Sequence, residues 1–293
     1  MNEREFLAER FEEHRPRLRA VAYRMLGSLS EADDAVQEAW LRLGRTGRDE
    51  VENLGGWLTT VVGRVCLTML RSRTRRGEEP LDTYVPDPVV DGPDGIGTGD
   101  PEQRALLADS VSLALLVVLE TLNPAERLAF VLHDLFSIPF DDIAPLVGRS
   151  VPATRQLASR ARRRVRGAEP TSDADLPTQR RVVDAFLAAA RGGDMAGLLA
   201  VLDPDVVLRS DGGGPHRGTV LRGARSVAGG ALAFARITEG GHPMLVNGGA
   251  GAVALRGGEV VSVAAFTVRG GRIVAMTILA DPERIAHLEL TPG

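Results

Sequence analysis

A chain of 293 residues is too long for one ordinary domain and long enough for two or three; its hydrophobic fraction of 44% excludes a disordered protein, and the lack of any run of 18 uncharged apolar residues excludes a helical membrane span. The net charge of -4 hides an asymmetry. Five arginines and no acid lie between Arg64 and Arg76, seven arginines and no acid between Gly148 and Gly167, and eight acids and no base between Gly77 and Gln103.

The chain has no lysine, and guanidinium suits bidentate phosphate binding. Its one cysteine, Cys66, rules out an intrachain disulfide and fits a reducing cytoplasm. The N-terminal segment is charged from the start, so no signal peptide is expected.

From about Glu5 to Arg76 the sequence reads as helical, with Leu18, Val21, Ala22, Met25 and Leu26 at helical spacing. Ser30 is the expected N-cap of a helix with acids in its first turn. Another helix is expected to begin near Gly55 and Gly56 and to run through the basic stretch. Residues 77–103, rich in Pro, Gly and Asp, read as a linker. Helices resume at about Pro101, the run LALLVVLETL is apolar enough to be buried, and two short helices follow up to Gly167. Residues 168–178 form a second linker. From Gln179 the pattern is helix, glycine break, helix. Five runs then read as antiparallel strands: DVVLRSDGGG, VAGGALAFARI, PMLVNGGAGAVALRG, EVVSVAAFTVRGG and RIVAMTILADP. DPERIAHLEL closes the chain as a short helix.

The clearest local motif is FDDIAPLVGRSVPATRQLASRARRRVRG. A helix from Asp141 to Leu146, a turn at Gly148 and a helix opening at Ser150 make the layout of a helix-turn-helix, whose second helix enters the major groove. Val151, Thr154, Ala158, Ala161 and Val165 form one packing stripe. The opposite face carries Arg155, Gln156, Ser159, Arg160, Arg162 and Arg163. Arg reads guanine edges and Gln reads adenine, while the C-terminal arginines, Arg164 among them, suit phosphate. A solvated basic helix in an ordinary bundle is the alternative on this segment alone.

With these segments in place, residues 5–167 resemble a bacterial extracytoplasmic-function (ECF) sigma factor. DDAVQEAWLRL followed by GGWLTTVVGRVCLTMLRSRTRR resembles sigma region two, and LETLNPAERLAFVLHDLFSIPFDDIAPLVGRS with its following helix resembles region four. The resemblance implies a multidomain fold: a region 2 helical bundle (5–76), the acidic linker (77–103), a region 4 helix-turn-helix (104–167), the second linker (168–178), and an α+β NTF2-like, SnoaL-like cone (179–293). It implies core RNA polymerase as partner, through the β′ clamp helices and the β flap, and promoter DNA as the second. Asp34, Gln37, Glu38 and Trp40 match the helix that docks on the clamp. Asn53, in the loop Gly47–Gly56, matches the capture of a flipped base of the −10 element. Arg64, Arg71, Arg73, Arg75 and Arg76 match the contacts near the melted region. Arg149, Ser150, Arg155, Gln156 and Arg160 match the reading of the −35 element. Trp57 is kept as a core aromatic. The acidic linker would thread through polymerase channels built for nucleic acid, where its carboxylates imitate RNA; a merely flexible tether is the alternative.

The third domain resembles the SnoaL-like domain that a subgroup of these factors carries. SDGGG (Asp211, Gly212, Gly213 and Gly214 after Ser210) and DPERI (Asp281, Pro282 and Arg284 within it) match that subgroup's motifs, although Pro215 stands where a lysine is usual and the linker keeps only YVPDP of a longer motif. These residues are expected to make regulatory contacts in cis, Arg284 with the acidic linker. The fold also includes enzymes, and Asp211, His216 and His242 are the candidate acid–base groups. No nucleophile motif or metal-ligand spacing is present, so no catalytic residue, cofactor or metal is assigned. A hollow fold of this kind also suits a small ligand in its cavity. The competing reading, a one-component ligand-sensing regulator, has no need of a region-two helix.

Overall fold

A computed structural model describes residues 3–46, 53–76, 85–92, 112–168, 172–212, 218–288 and 290. Its contacts gather into two units, Met1–Glu78 with Val118–Ala168, and Glu79–Val117 with Glu169–Gly293.

The first unit opens with three helices, α1 (Glu3–Leu26), α2 (Leu29–Thr46) and α3 (Leu54–Arg76). Leu18, Val21, Ala22, Met25 and Leu26 are buried along one stripe of α1, as their spacing requires. Gly27, at φ 71°, ends α1. The cap of α2 is Ser28 rather than Ser30: its hydroxyl accepts from the Glu31 N–H at 3.5 Å and its carbonyl from the Ala32 N–H at 3.1 Å. The tight turn at Gly27 places Ser28 one residue before the helix, and Ser30 falls inside it. Trp57, expected in the core, is only half-buried in the first turn of α3.

The second set of helices is α4 (Leu113–Glu120), of which only the part from Val118 on counts with this unit, α5 (Pro124–Phe130), α6 (Phe140–Val147) and α7 (Val151–Ala168), with a π-helical turn at Val131–Leu135 after α5. The expected helix start at Pro101 lies outside the described residues. Asn123 caps α5 by accepting from the Glu126 N–H at 2.9 Å, and Pro124 occupies the first turn, where its missing N–H costs nothing. Gly148 ends α6 at φ 67°, a left-handed conformation natural to glycine. Thr154, Ala158 and Ala161 of α7 are fully buried and Val165 nearly so.

Within this unit α3 packs against α5 and α6 at Gly63. A Cβ there would lie 3.2 Å from a Leu132 methyl and 3.3 Å from one of Leu128, a tight fit that would make these side chains give way by a few tenths of an ångström. Arg127, 1% exposed, donates its Nε to the Arg24 carbonyl at 3.3 Å. Its Nη2 lies 2.7 Å from Glu120, close enough for full charge pairing but out of line for a hydrogen bond.

The second unit is a seven-stranded sheet of order β1-β4-β5-β6-β7-β2-β3. Its strands are β1 (Val90–Asp91), β2 (Leu202–Ser210), β3 (Thr219–Arg222), β4 (Gly241–Val246), β5 (Gly249–Arg256), β6 (Glu259–Arg269) and β7 (Arg272–Leu279). The expectation of a purely antiparallel set is corrected at one place: β2 pairs with β7 in parallel. Register shifts in β2–β7, β5–β6 and β6–β7 bend the strands, giving a curved sheet. The helices of this unit are α8 (Leu176–Gly192), α9 (Met195–Val201), α10 (Ala224–Ala235) and α11 (Pro282–Ala286). VAGGALAFARI, expected as a strand, forms most of α10. Val227, Ala228, Ala231 and Leu232 recur with helical period and pack on the core of Phe186, Val206 and Phe266. That stripe outweighs the low helix propensity of Gly229 and Gly230. The core residues of α8, α9 and α10 thus lie against one face of the sheet.

Candidate nucleic-acid interface

At the start of α7, Arg149, Ser150, Arg155 and Gln156 are all exposed. Ser150 is the cap, with its carbonyl accepting from the Thr154 N–H at 2.9 Å and its hydroxyl near the Ala153 N–H at 3.4 Å. Arg155 lies with its guanidinium 5.8 Å from the Phe140 ring centroid, which ties its stem to the preceding helix. Arg160 is different. Its Nε donates to Glu126 at 2.8 Å, so it is engaged with α5 rather than grouped with Arg155 and Gln156. Arg164 donates to the other oxygen of Glu126 at 2.9 Å, and Arg162 to Asp134 at 2.6 Å.

On α3, Arg64, Arg71 and Arg75 are exposed at i, i+7 and i+11, one basic stripe. Arg73 points elsewhere: it is hydrogen-bonded to Glu31 and reaches the Leu26 carbonyl at 3.4 Å, so it ties α3 to the start of α2. The side chain of Arg76 lies outside the described residues. Asn53 caps α3, its side-chain oxygen accepting from the Gly56 N–H at 3.0 Å; loop residues 47–52 are outside the description.

On α2, Asp34, Gln37, Glu38 and Leu41 share one face by their i, i+3, i+4 and i+7 spacing. Asp34 and Gln37 are exposed, and Glu38 pairs with Arg42 at 2.9 Å at the surface. Leu41, 49% exposed, is an apolar member that charge-based reading of the sequence passes over. Its signal was an apolar residue one turn beyond two acids. Trp40 turns inward, its ring 5.1 Å from that of the buried Phe11, so it fastens α2 to α1. Cys66 is fully buried, and burial pushes its thiol far up, so it stays protonated and inert.

Residues 10–76 match the family model for Sigma-70 region 2, and residues 112–165 that for Sigma-70 region 4. The ECF RNA polymerase sigma factor SigJ of Mycobacterium tuberculosis is 38% identical over an alignment covering 94% of this chain and 91% of the relative. The chain belongs to the ECF sigma factor family. It functions as an RNA polymerase sigma factor in transcription initiation. The SigG sigma factor of the same organism is 29% identical over 67% of this chain and 59% of its own length. The crystal structure of SigJ superposes with a TM-score of 0.74 at 33% identity, covering 97% of this chain and all of that one, so the C-terminal α+β unit is part of the shared architecture. Among the described residues no helix is long and apolar enough to cross a membrane.

In this sigma factor the two C-terminal motifs meet. The carboxylate of Asp211, just beyond β2, accepts from the backbone N–H groups of Ala280 at 2.8 Å and Asp281 at 3.2 Å. Asp281 caps α11, accepting from the Arg284 N–H at 3.0 Å, and Pro282 fills the first turn. Arg284 then reaches out of this corner: its Nε donates to Asp87 at 2.9 Å and its Nη2 to the Val85 carbonyl at 2.6 Å. Gly212 follows Asp211 at φ 86°, while Gly213 and Gly214 lie outside the described residues.

Asp87 and Val85 belong to the acidic linker. Val85, Asp87 and Val89 are buried, and Val90–Asp91 adds β1 to the edge of β4. Asn247, in the β4–β5 turn at φ 48°, donates its N–H to the Val89 carbonyl at 2.8 Å and accepts the Val89 N–H on its side chain at 3.1 Å. Part of the linker is therefore an element of the second unit's sheet.

The acid–base reading of this unit loses its geometry. Asp211 spends its oxygens on backbone N–H groups, and His242 is exposed on β4, with three strands between it and β2. His216 lies outside the described residues. A cavity of about 310 Å³ lies elsewhere in this unit, lined by Ser172, Gln179, Asn247, Phe266, Thr267 and Thr277 among others.

Proposed function

We propose that this sigma factor docks on the β′ clamp helices of core RNA polymerase through α2, holds the melted promoter with the arginines of α3, reads the −35 element with α7 placed beside the β flap, and is regulated in cis by its SnoaL-like unit. It works in the cytoplasm, and the C-terminal unit is a regulator rather than a catalyst. The docking face is Asp34, Gln37, Glu38 and Leu41. Replacing Asp34 and Glu38 by alanine should weaken core binding, and Leu41→Ala should do so as well, by about 1–3 kcal/mol as an apolar anchor inside a polar rim. Titration of labelled core with each folded variant checks this; unchanged affinity for core would remove the docking role.

The observation that carries cis regulation is the grip of Arg284 on Asp87 and the Val85 carbonyl. A linker that must enter a polymerase channel cannot at the same time lie on a sheet edge. Holding it there opposes engagement, and release permits it. A small ligand in the 310 Å³ cavity, whose wall includes the linker-binding Asn247, would shift that balance.

Arg284→Ala removes the grip and leaves Ile285 and Leu288 to pack α11. Promoter-dependent output should rise severalfold, on the order of the tenfold that about 1.4 kcal/mol confers. A deletion from Asp281 onward should act in the same direction, and removal of everything after about Pro170 should abolish the response. A reporter on the cognate promoter, with all forms at equal abundance, measures this. Identical output from the wild type, Arg284→Ala and the full deletion would make the third unit a passenger.

A further inference from the structure

A carboxylate is seldom buried unless its charge is matched, because desolvating it costs several kcal/mol. The side chain of Glu126 is only 3% exposed, and it is matched twice. Its Oε1 accepts Arg160 Nε at 2.8 Å and its Oε2 accepts Arg164 Nη1 at 2.9 Å. The two arginines are one turn apart on α7, and their outer surfaces remain 47% and 54% exposed. The acid itself is fixed in the first turn of α5, where Asn123 accepts from its backbone N–H at 2.9 Å. This is a rigid arrangement: a capped helix start presents one acid to two guanidinium groups of the neighbouring helix. Arg149, Arg155, Arg163 and Arg166 of the same basic stretch are exposed, and among the described residues no acid is paired with them.

Phosphate contacts supply affinity without sequence information, and each one adds about 0.9 to the salt slope of binding. A reading helix with all six of its arginines at liberty would bind any duplex tightly. We propose that Glu126 is a specificity-determining residue for promoter recognition: its buried carboxylate withholds Arg160 and Arg164 from the phosphate backbone, lowering sequence-independent binding while Arg155 and Gln156 read bases. The proposal rests on the reading of α7 as the −35 helix. It also replaces the sequence-based assignment of Arg160 to the −35 element and of Arg164 to phosphate.

The test uses holoenzyme assembled from core and full-length protein, with binding measured over a salt series on duplexes carrying a matched or a scrambled −35 element. Arg163→Gln should lower the salt slope by about one, whereas Arg164→Gln, already neutralised by Glu126, should lower it by less than about half of that. Glu126→Gln should steepen the slope on scrambled DNA by about one to two and lower the matched-to-scrambled affinity ratio about fivefold or more. Equal slopes for Arg163→Gln and Arg164→Gln, or an unchanged slope in a folded Glu126→Gln protein, would overturn the proposal. If Glu126→Gln does not fold, the comparison of the two arginine variants decides alone. Arg155→Ala separates the two levels of the argument. If it leaves the matched-to-scrambled ratio unchanged, the reading of α7 fails. If it lowers the ratio while the slopes contradict the expectation, only the role of Glu126 fails.

Discussion

Arg127→Ala should destabilise the first unit by about 3–5 kcal/mol and abolish transcription at ordinary growth temperature. Arg127 is 1% exposed and pairs with Glu120, itself 7% exposed, at 2.7 Å. Truncation leaves Glu120 buried with its charge unmatched, removes a donor from the Arg24 carbonyl and opens a cavity. The intact pair is weak support for stability, since a well-packed apolar pair does as well; the broken pair is costly. Arg127→Met combined with Glu120→Leu should therefore recover most of the loss. Urea unfolding of the wild type and both variants tests this, and a loss under about 1 kcal/mol for Arg127→Ala would mean that the site is not dry.

The second large effect is expected at the start of α7. Arg155→Ala and Gln156→Ala should each remove about 1–3 kcal/mol of discrimination at one position of the −35 element. Together they should take the matched-to-scrambled ratio down by a factor of at least about thirty, from roughly 2 kcal/mol or more of lost readout. The fold should survive, because both side chains are exposed and the packing stripe of Thr154, Ala158 and Ala161 is untouched. Arg155 also lies over the Phe140 ring, so its substitution loosens a second, smaller contact. Competition binding with single-position mismatches measures the readout. Equal losses on every sequence would make these residues phosphate contacts only.

Most of the helical half was legible because its signals are local. The stripe from Leu18 to Leu26, the turn at Gly148 and the stripe through α7 follow directly from period and chemistry. What the sequence hid depends on partners distant along the chain. Arg73 and Arg160 look like their neighbours in a basic run, yet each meets an acid on another helix, Glu31 and Glu126. Trp40 reads as an exposed helix residue until Phe11 is placed beside it. In the C-terminal half, Gly229 and Gly230 masked a helix whose evidence was the period of Val227, Ala228, Ala231 and Leu232. The linker was the hardest to read. Two residues of pairing on β4 are too few for a strand signal, and its anchors, Asn247 and Arg284, come more than 150 positions later. The pairing of Arg284 with the linker was anticipated from the resemblance of DPERI to a family motif together with charge; the burial of Val85 and Val89 was not.

Run-off transcription with purified core polymerase tests the central claim most directly. Full-length protein, wild type and with Arg155→Ala plus Gln156→Ala, is added to templates carrying the cognate promoter or the same promoter with its −35 element scrambled. The wild type should give a transcript of defined start that falls sharply on the scrambled template, and the double variant should lose that difference. A wild-type transcript indifferent to the −35 element, or none from any template with core present, would contradict the account.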